Sequence, residues 1–247
     1  MVAIAGLAGA VAGSFLNVVV NRLPRGESLV TPRSRCPHCG TAVLPRDNVP
    51  LVSWLALRGR CRQCKERISV RYPLIEALTA LLFAAIVLIR GLNTDLILLL
   101  PFAAMLVAVA VIDLEHRIVP NKILLPLAVY GVVAAALVRS GDLPELLIAG
   151  AAAFLGLLLA ALAYPAGMGM GDVKLAGVMG LYLGASVAPA LLVAFATGAI
   201  VGIGILVHEG AGARKRGLPF APFLALGGMV GVLAGPQLID LYVNHFL

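Results

Sequence analysis

Apolar residues run along this chain in long blocks, not in the alternation of half-buried strands or the narrow stripes of water-soluble helices. The blocks fall at residues 2–20, 74–89, 96–112, 123–138, 146–164, 173–207 and 223–242. Most approach the roughly 20 residues, at about 1.5 Å each, that carry a helix across a bilayer. The block 173–207 has 35 residues, which is about 50 Å as one helix and too long for one crossing. Gly184, Ser186 and Pro189 stand near its middle, where a turn is expected. The pattern therefore predicts two crossings there, the first of them short, and about eight transmembrane helices in an all-α polytopic membrane protein. No internal repeat and no low-complexity tract is visible.

Composition agrees with lipid as the solvent. Of 247 residues, 61% are hydrophobic and 13% charged, against about 45–50% and about 25% in soluble domains. The net charge of +7 points to nucleic acid only until the charges are located. Eleven of the 19 Lys and Arg residues lie between Arg22 and Tyr72, opposed only by Glu27, Asp47 and Glu66. A basic loop in a membrane protein is first an orientation signal and second a contact for anionic lipid headgroups; nucleic acid is not an expected partner. With the N-terminus outside and eight crossings, 17 of the 19 basic residues face the cytoplasm, including Arg214, Lys215 and Arg216. Residues 2–20 have no basic residue before them and Arg22 and Arg25 just after, the reverse of a secretory signal. The expected organisation is a first helix (1–20), a cytoplasmic basic loop (21–73) and a membrane helical catalytic bundle (74–247).

All four cysteines lie in the basic loop, as Cys36-x2-Cys39 and Cys61-x2-Cys64, with 21 residues between the pairs. That spacing suits a four-cysteine zinc site, and a cytoplasmic loop keeps its thiols reduced. Four thiolates leave zinc no open position, so the metal is expected to fold the loop rather than to catalyse. Arg35, Arg60, Arg62 and Lys65 stand near enough in sequence to offset the negative charge.

Two acidic residues stand at the ends of apolar blocks. Asp113 closes one and opens the run Asp113-Leu114-Glu115-His116-Arg117-Ile118-Val119-Pro120-Asn121; Asp172 follows Gly167-Met168-Gly169-Met170-Gly171. The segment between them, a separation of 59 positions, forms an out-and-back hairpin, which returns the chain to the same membrane face. Paired carboxylates cannot both ionise at close range, so one activates water while its protonated partner polarises a carbonyl, as in aspartic proteases. Gly169 and Gly171 would let a substrate backbone approach and permit unusual dihedrals. Lys174 does not face Asp172 on one helix and is expected to reach headgroups or substrate. A simpler reading of Asp172 is a charge at a helix N-terminus. That reading does not extend to Asp113, at the opposite helix end. Neither an HExxH zinc motif nor a Gly-x-Ser-x-Gly elbow occurs.

Several short stretches together resemble the bacterial type IV prepilin peptidases, the leader peptidase/N-methyltransferase family. They are Gly13-Ser14-Phe15-Leu16-Asn17-Val18-Val19 with Arg22-Leu23-Pro24, the four-cysteine loop, and Asn48-Val49-Pro50 before Ser53-Trp54-Leu55. Arg71-Tyr72-Pro73-Leu74-Ile75-Glu76, the two aspartate segments and Pro222-Phe223-Leu224-Ala225 complete the series. The resemblance implies a bacterial inner-membrane enzyme that cuts type IV prepilins or pseudopilins after the glycine of a basic leader. It further implies that the new N-terminus is methylated from S-adenosylmethionine, for which no glycine-rich nucleotide turn is visible. Gly13–Asn17 and the large loop are the remaining polar features expected to serve that second step. Two other classes stay open on the residues alone: a proton-coupled transporter using Asp113 and Asp172 as relays, and a zinc-stabilised membrane scaffold without catalysis.

Overall fold

The computed structural model describes residues 1–164, 167–209 and 218–246; Arg214, Lys215 and Arg216 fall outside them. Among the described residues no strand forms, and two isolated bridges, Arg35 with Ala42 and Arg60 with Arg67, belong to the cysteine loop. The chain separates into two compact units, Met1–Gly91 and Leu92–Leu247.

The first unit pairs α1 (Val2–Arg22) with α3 (Arg71–Arg90) and carries the loop between them, which includes the short helix α2 (Val52–Ala56). Small residues make the pairing possible. A methyl group on Gly9 would lie 2.6 Å from the Thr79 carbonyl oxygen, and one on Gly13 would lie 2.7 Å from Glu76 Cα. Close backbone approach through small residues is how helices pack without a hydrophobic driving force. Sequence alone grouped α3 with the bundle that follows; the structure groups it with α1, because the glycine face of α1 admits its backbone.

The second unit contains α4 (Leu96–His116), α5 (Asn121–Val138), α6 (Leu143–Ala163), α7 (Met170–Leu183), α8 (Val187–Glu209) and α9 (Ala221–Phe246). Its centre is α4, where Leu98, Phe102, Leu106, Val109 and Ile112 are fully covered and Phe102 stacks on Tyr182 with ring centroids 4.7 Å apart. Outward-facing leucines such as Leu125, Leu137, Leu159 and Leu192 stay exposed, as lipid-facing residues do.

Among the described residues seven segments are long and apolar enough to cross a membrane, one of them running from Met170 to His208. The expected break falls inside it: α7 stops at Leu183, a 3-10 turn covers Gly184–Ser186 with Gly184 at φ +56°, and α8 begins at Val187. The neighbours of α9 show that the chain reverses there. Gly228 and Gly231 face Met179 and Leu183 of α7, so α7 and α9 run the same way. Gly227 and Gly235 face Ala190 and Ser186, whereas Gly198 faces Phe220 and Phe223, so α8 runs against both. With 14 residues, α7 spans about 21 Å, less than a full hydrocarbon core. The difference between seven and eight therefore lies in this one short arm.

Candidate active site and metal centre

Asp113 sits in the last turn of α4, 6% exposed. The helix ends three residues later, at His116, because Arg117 takes a left-handed conformation (φ +55°) and its N–H bonds back to the Asp113 carbonyl at 2.9 Å. This is an αL cap formed without glycine. Pro120 then starts α5, and the connecting Val119 lies against Gly171: a methyl on that glycine would come within 2.7 Å of Val119 Cβ. The expected dihedral freedom is not what Gly169 and Gly171 contribute. Gly169 holds ordinary extended angles (φ −80°, ψ 146°) as the N-cap of α7, and neither glycine has a positive φ. Gly171 is needed for space, since α7 starts against the α4–α5 turn.

Asp172 lies in the first turn of α7. Its N–H bonds to the Gly169 carbonyl at 3.1 Å, and its carboxylate also takes a backbone hydrogen bond from Gly169, an arrangement like a capping box. Asp113 is the charged neighbour within electrostatic reach of it. Lys174 points elsewhere: its Nζ donates to Asn121 Oδ1 at 3.1 Å, tying α7 to the start of α5.

One participant has no mark in the sequence. The Ala221 N–H, at the start of α9, donates to Asp113 Oδ2 at 3.1 Å. The stretch Pro222-Phe223-Leu224-Ala225 follows directly, so the last motif of the sequence positions a backbone donor against the first carboxylate. A helix N-terminus offers both free N–H groups and a favourable dipole to an anion.

In the first unit the four cysteine sulfurs lie within 4.8 Å of one another, with Cys36 Sγ 3.8 Å from Cys64 Sγ. A tetrahedral site with metal–sulfur bonds of about 2.3 Å has sulfur–sulfur edges of about 3.8 Å, so the cluster fits a metal ion. Two superimposable turns build it. The Cys36 N–H bonds to the Thr41 carbonyl, Gly40 N–H to Cys36 and Val43 N–H to Ser34; in the second turn Cys61 bonds to Glu66, Lys65 to Cys61 and Ile68 to Gly59. Gly40 (φ +69°) and Lys65 (φ +59°) occupy the same left-handed position. This is a local repeat that the sequence reading did not detect.

Cys39 is drawn down to about 6 by hydrogen bonds from the Thr41 hydroxyl and backbone. Backbone N–H groups of Cys64 and Gln63 lower Cys61. These two shifts favour the thiolates that a metal requires, whereas Cys64, crowded by the other three sulfurs, is pushed up to about 12. Arg62 does not turn to the sulfurs as expected; its guanidinium forms a two-pronged pair with Asp47, with Nη2 to Oδ1 at 2.7 Å and Nε to Oδ2 at 2.9 Å.

The fold defines a multi-pass helical membrane protein with four clustered thiols in one unit and, in the other, two aspartates at helix ends. Residues 7–89 match the Bacterial Peptidase A24 N-terminal domain and residues 99–203 match the Type IV leader peptidase family. The chain belongs to that family of peptidases. Curated relatives named prepilin leader peptidase/N-methyltransferase come from Aeromonas hydrophila (37% identical, covering 95% of this chain and 91% of the relative), Bacillus subtilis strain 168 (35%, 100% of each) and Pseudomonas aeruginosa (34%, 96% and 92%). No solved structure matches the chain.

Proposed function

We propose that this enzyme is an aspartic endopeptidase that removes the basic leader from type IV prepilins or pseudopilins, and that it then N-methylates the exposed residue. The observation that carries the first activity is the approach of Asp113 and Asp172 across 59 residues of chain, with the Ala221 N–H on one of them. One carboxylate draws a proton from water while the other, protonated, polarises the scissile carbonyl. Both stand at helix ends, where a membrane segment meets the aqueous face. A leader peptide changes there from basic to apolar, so its scissile bond reaches that depth. The charge distribution supports a cytoplasmic active face and an outside N-terminus in a bacterial inner membrane. Gly169 borders the substrate, Gly171 lets α7 start against the α4–α5 turn, Lys174 ties α7 to α5, and the basic loop meets anionic headgroups.

The four cysteines hold one structural zinc ion in this reading. The methyl group comes from S-adenosylmethionine, which supplies it on a positively charged sulfur; the acceptor is the amine freed by cleavage.

The test is incubation of the purified protein, in detergent with S-adenosylmethionine, with a prepilin-like substrate, followed by mass spectrometry of the product. The expected product begins immediately after the leader glycine and carries one added methyl group. Intact substrate with well-folded protein would sink the peptidase reading; cleavage without methylation would sink only the second activity.

A further inference from the structure

Residues 49–55, midway between the two cysteine pairs, fold back beside the crossing helices of the first unit. α1 and α3 run antiparallel, with Gly13 against Glu76 and Gly9 against Ala80, and the Asn17 amide donates to the Tyr72 carbonyl at 3.1 Å. Glu76 Oε2 accepts the Leu51 N–H at 2.8 Å. Helical side chains lean toward the helix start, so this bond sets Leu51 near the first turn of α3, level with Asn17. The end of α1 at Arg22 stands more than one turn beyond, about 7 Å further toward water. At the level of Leu51 the outward residues of both helices are apolar: Phe15 of α1 and Leu74 of α3 are exposed.

The segment is firmly held. Buried Ser53 donates its hydroxyl to the Arg46 carbonyl at 3.0 Å and accepts the Val49 N–H at 2.9 Å. The Trp54 Nε1–H donates to the Ile68 carbonyl at 3.3 Å, and a methyl on Gly59 would come within 2.8 Å of the indole ring. With Leu51, Ser53 and Trp54 so engaged, the other face of the turn points outward. Val49, Val52 and Leu55 are 46%, 61% and 67% exposed, and their spacing of three sets them on one stripe. Arg46, Arg58 and Arg60 flank the stripe and are exposed. Asp47, the one acid between Leu44 and Lys65, is taken up by Arg62.

We propose that residues 49–55 are an interfacial membrane anchor. Val49, Val52 and Leu55 enter the acyl boundary of the leaflet beside α1 and α3, and the flanking arginines lie among anionic headgroups. An apolar stripe at the level where neighbouring helices face lipid is matched by acyl chains; in water it would leave a contiguous apolar surface uncovered. The basic flanks suit the negative surface of a leaflet, and arginine stems can follow apolar surface while their guanidinium groups stay in the headgroup layer. The inference deepens the headgroup contact proposed for the basic loop, while the apolar insertion rests on α1 and α3 crossing the bilayer.

Trp54 is the only tryptophan of the chain, so its fluorescence reports this segment directly. The full-length protein is placed in nanodiscs of phosphatidylcholine and phosphatidylglycerol. Their lipids carry bromine high on the acyl chains, bromine near the chain ends, or a nitroxide on the headgroup. A second probe, Leu55→Trp in a Trp54→Phe background, sits on the stripe itself. Bromine high on the chains should quench both probes, bromine near the bilayer centre much less, and iodide in the water hardly at all. Val52→Asp combined with Leu55→Asp should lower chain quenching of Trp54 by about twofold or more, with metal content and helix content unchanged. A folded double variant quenched like wild type overturns the anchor. Quenching by the headgroup nitroxide without any by brominated chains also overturns it, and leaves the headgroup contact standing. Quenching of neither probe by any lipid overturns the anchor together with headgroup contact at these arginines.

Discussion

The two units of this enzyme solve the same problem, holding reactive side chains at a fixed separation, by opposite means. In Met1–Gly91 the cysteines are set by short-range backbone bonds: each pair is gripped by its own turn, and the two turns repeat one another. In Leu92–Leu247 no local segment holds the carboxylates together. Asp113, Asp172 and the Ala221 N–H come from three helices and meet only because those helices pack. A locally built site depends on what it binds, and a packed site depends on the volume of its neighbours.

The largest effect falls on the packed site. Asp113→Asn and Asp172→Asn should each lower leader cleavage by about a thousandfold or more, because an amide serves as neither base nor acid. Both should remain folded and inserted. Near-normal turnover in either, measured by mass spectrometry, breaks the assignment of the pair.

Next comes the metal. Elemental analysis should find about one zinc per chain. Replacing Cys36 and Cys39 together with serine should abolish it and render the loop protease-sensitive, since structural zinc contributes folding energy directly. Hydrogen exchange in α4 to α9 should change little. Protection lost equally in both units would erase the contrast drawn above.

A smaller effect is expected from volume alone. Gly171→Ala puts a methyl 2.7 Å from Val119 Cβ, an overpacking of about 1–3 kcal/mol. Turnover should fall with it, and Val119→Ala should restore much of the loss. A Gly171→Ala enzyme of full activity would show that the α4–α5 turn yields freely.

The smallest effect concerns the exposed Asp47–Arg62 pair. Hydrogen bonds from Arg62 hold the Asp47 carboxyl below its usual range. The contribution is therefore complete above the unfolded carboxyl value, near pH 4, and fades only as pH falls through the lowered folded one. Asp47→Asn should speed loop proteolysis only slightly at neutral pH, because the pair is exposed, and the difference from wild type should vanish as pH falls through the lowered value. A large effect at pH 7 would mean that the pair supports the metal turns.

Much of this was legible before any coordinates. Hydropathy located the spans because lipid imposes a length on every crossing, and it located the reversal near Gly184 because no helix of that length fits. Parity of crossings assigns Asp113 and Asp172 to one membrane face, and spacing groups the cysteines, whose sulfurs do cluster. What escaped reading is carried by the backbone. The repeat of the metal turns lives in hydrogen bonds among residues that share little beyond cysteine and a preceding arginine. The Ala221 donor is an N–H that any residue but proline would provide. The grouping of α3 with α1 follows from Gly9 and Gly13, whose significance depends on which helix faces them.

The Ala221 hydrogen bond also orders events during synthesis. Asp113 and Asp172 are both translated well before residue 221, yet the donor that reaches Asp113 emerges 108 residues after it. A chain stalled or truncated before α9 carries both carboxylates with one of them unheld. The proposed carboxylate site is thus completed late in synthesis, and a fragment in the membrane lacks the Ala221 donor that finishes it.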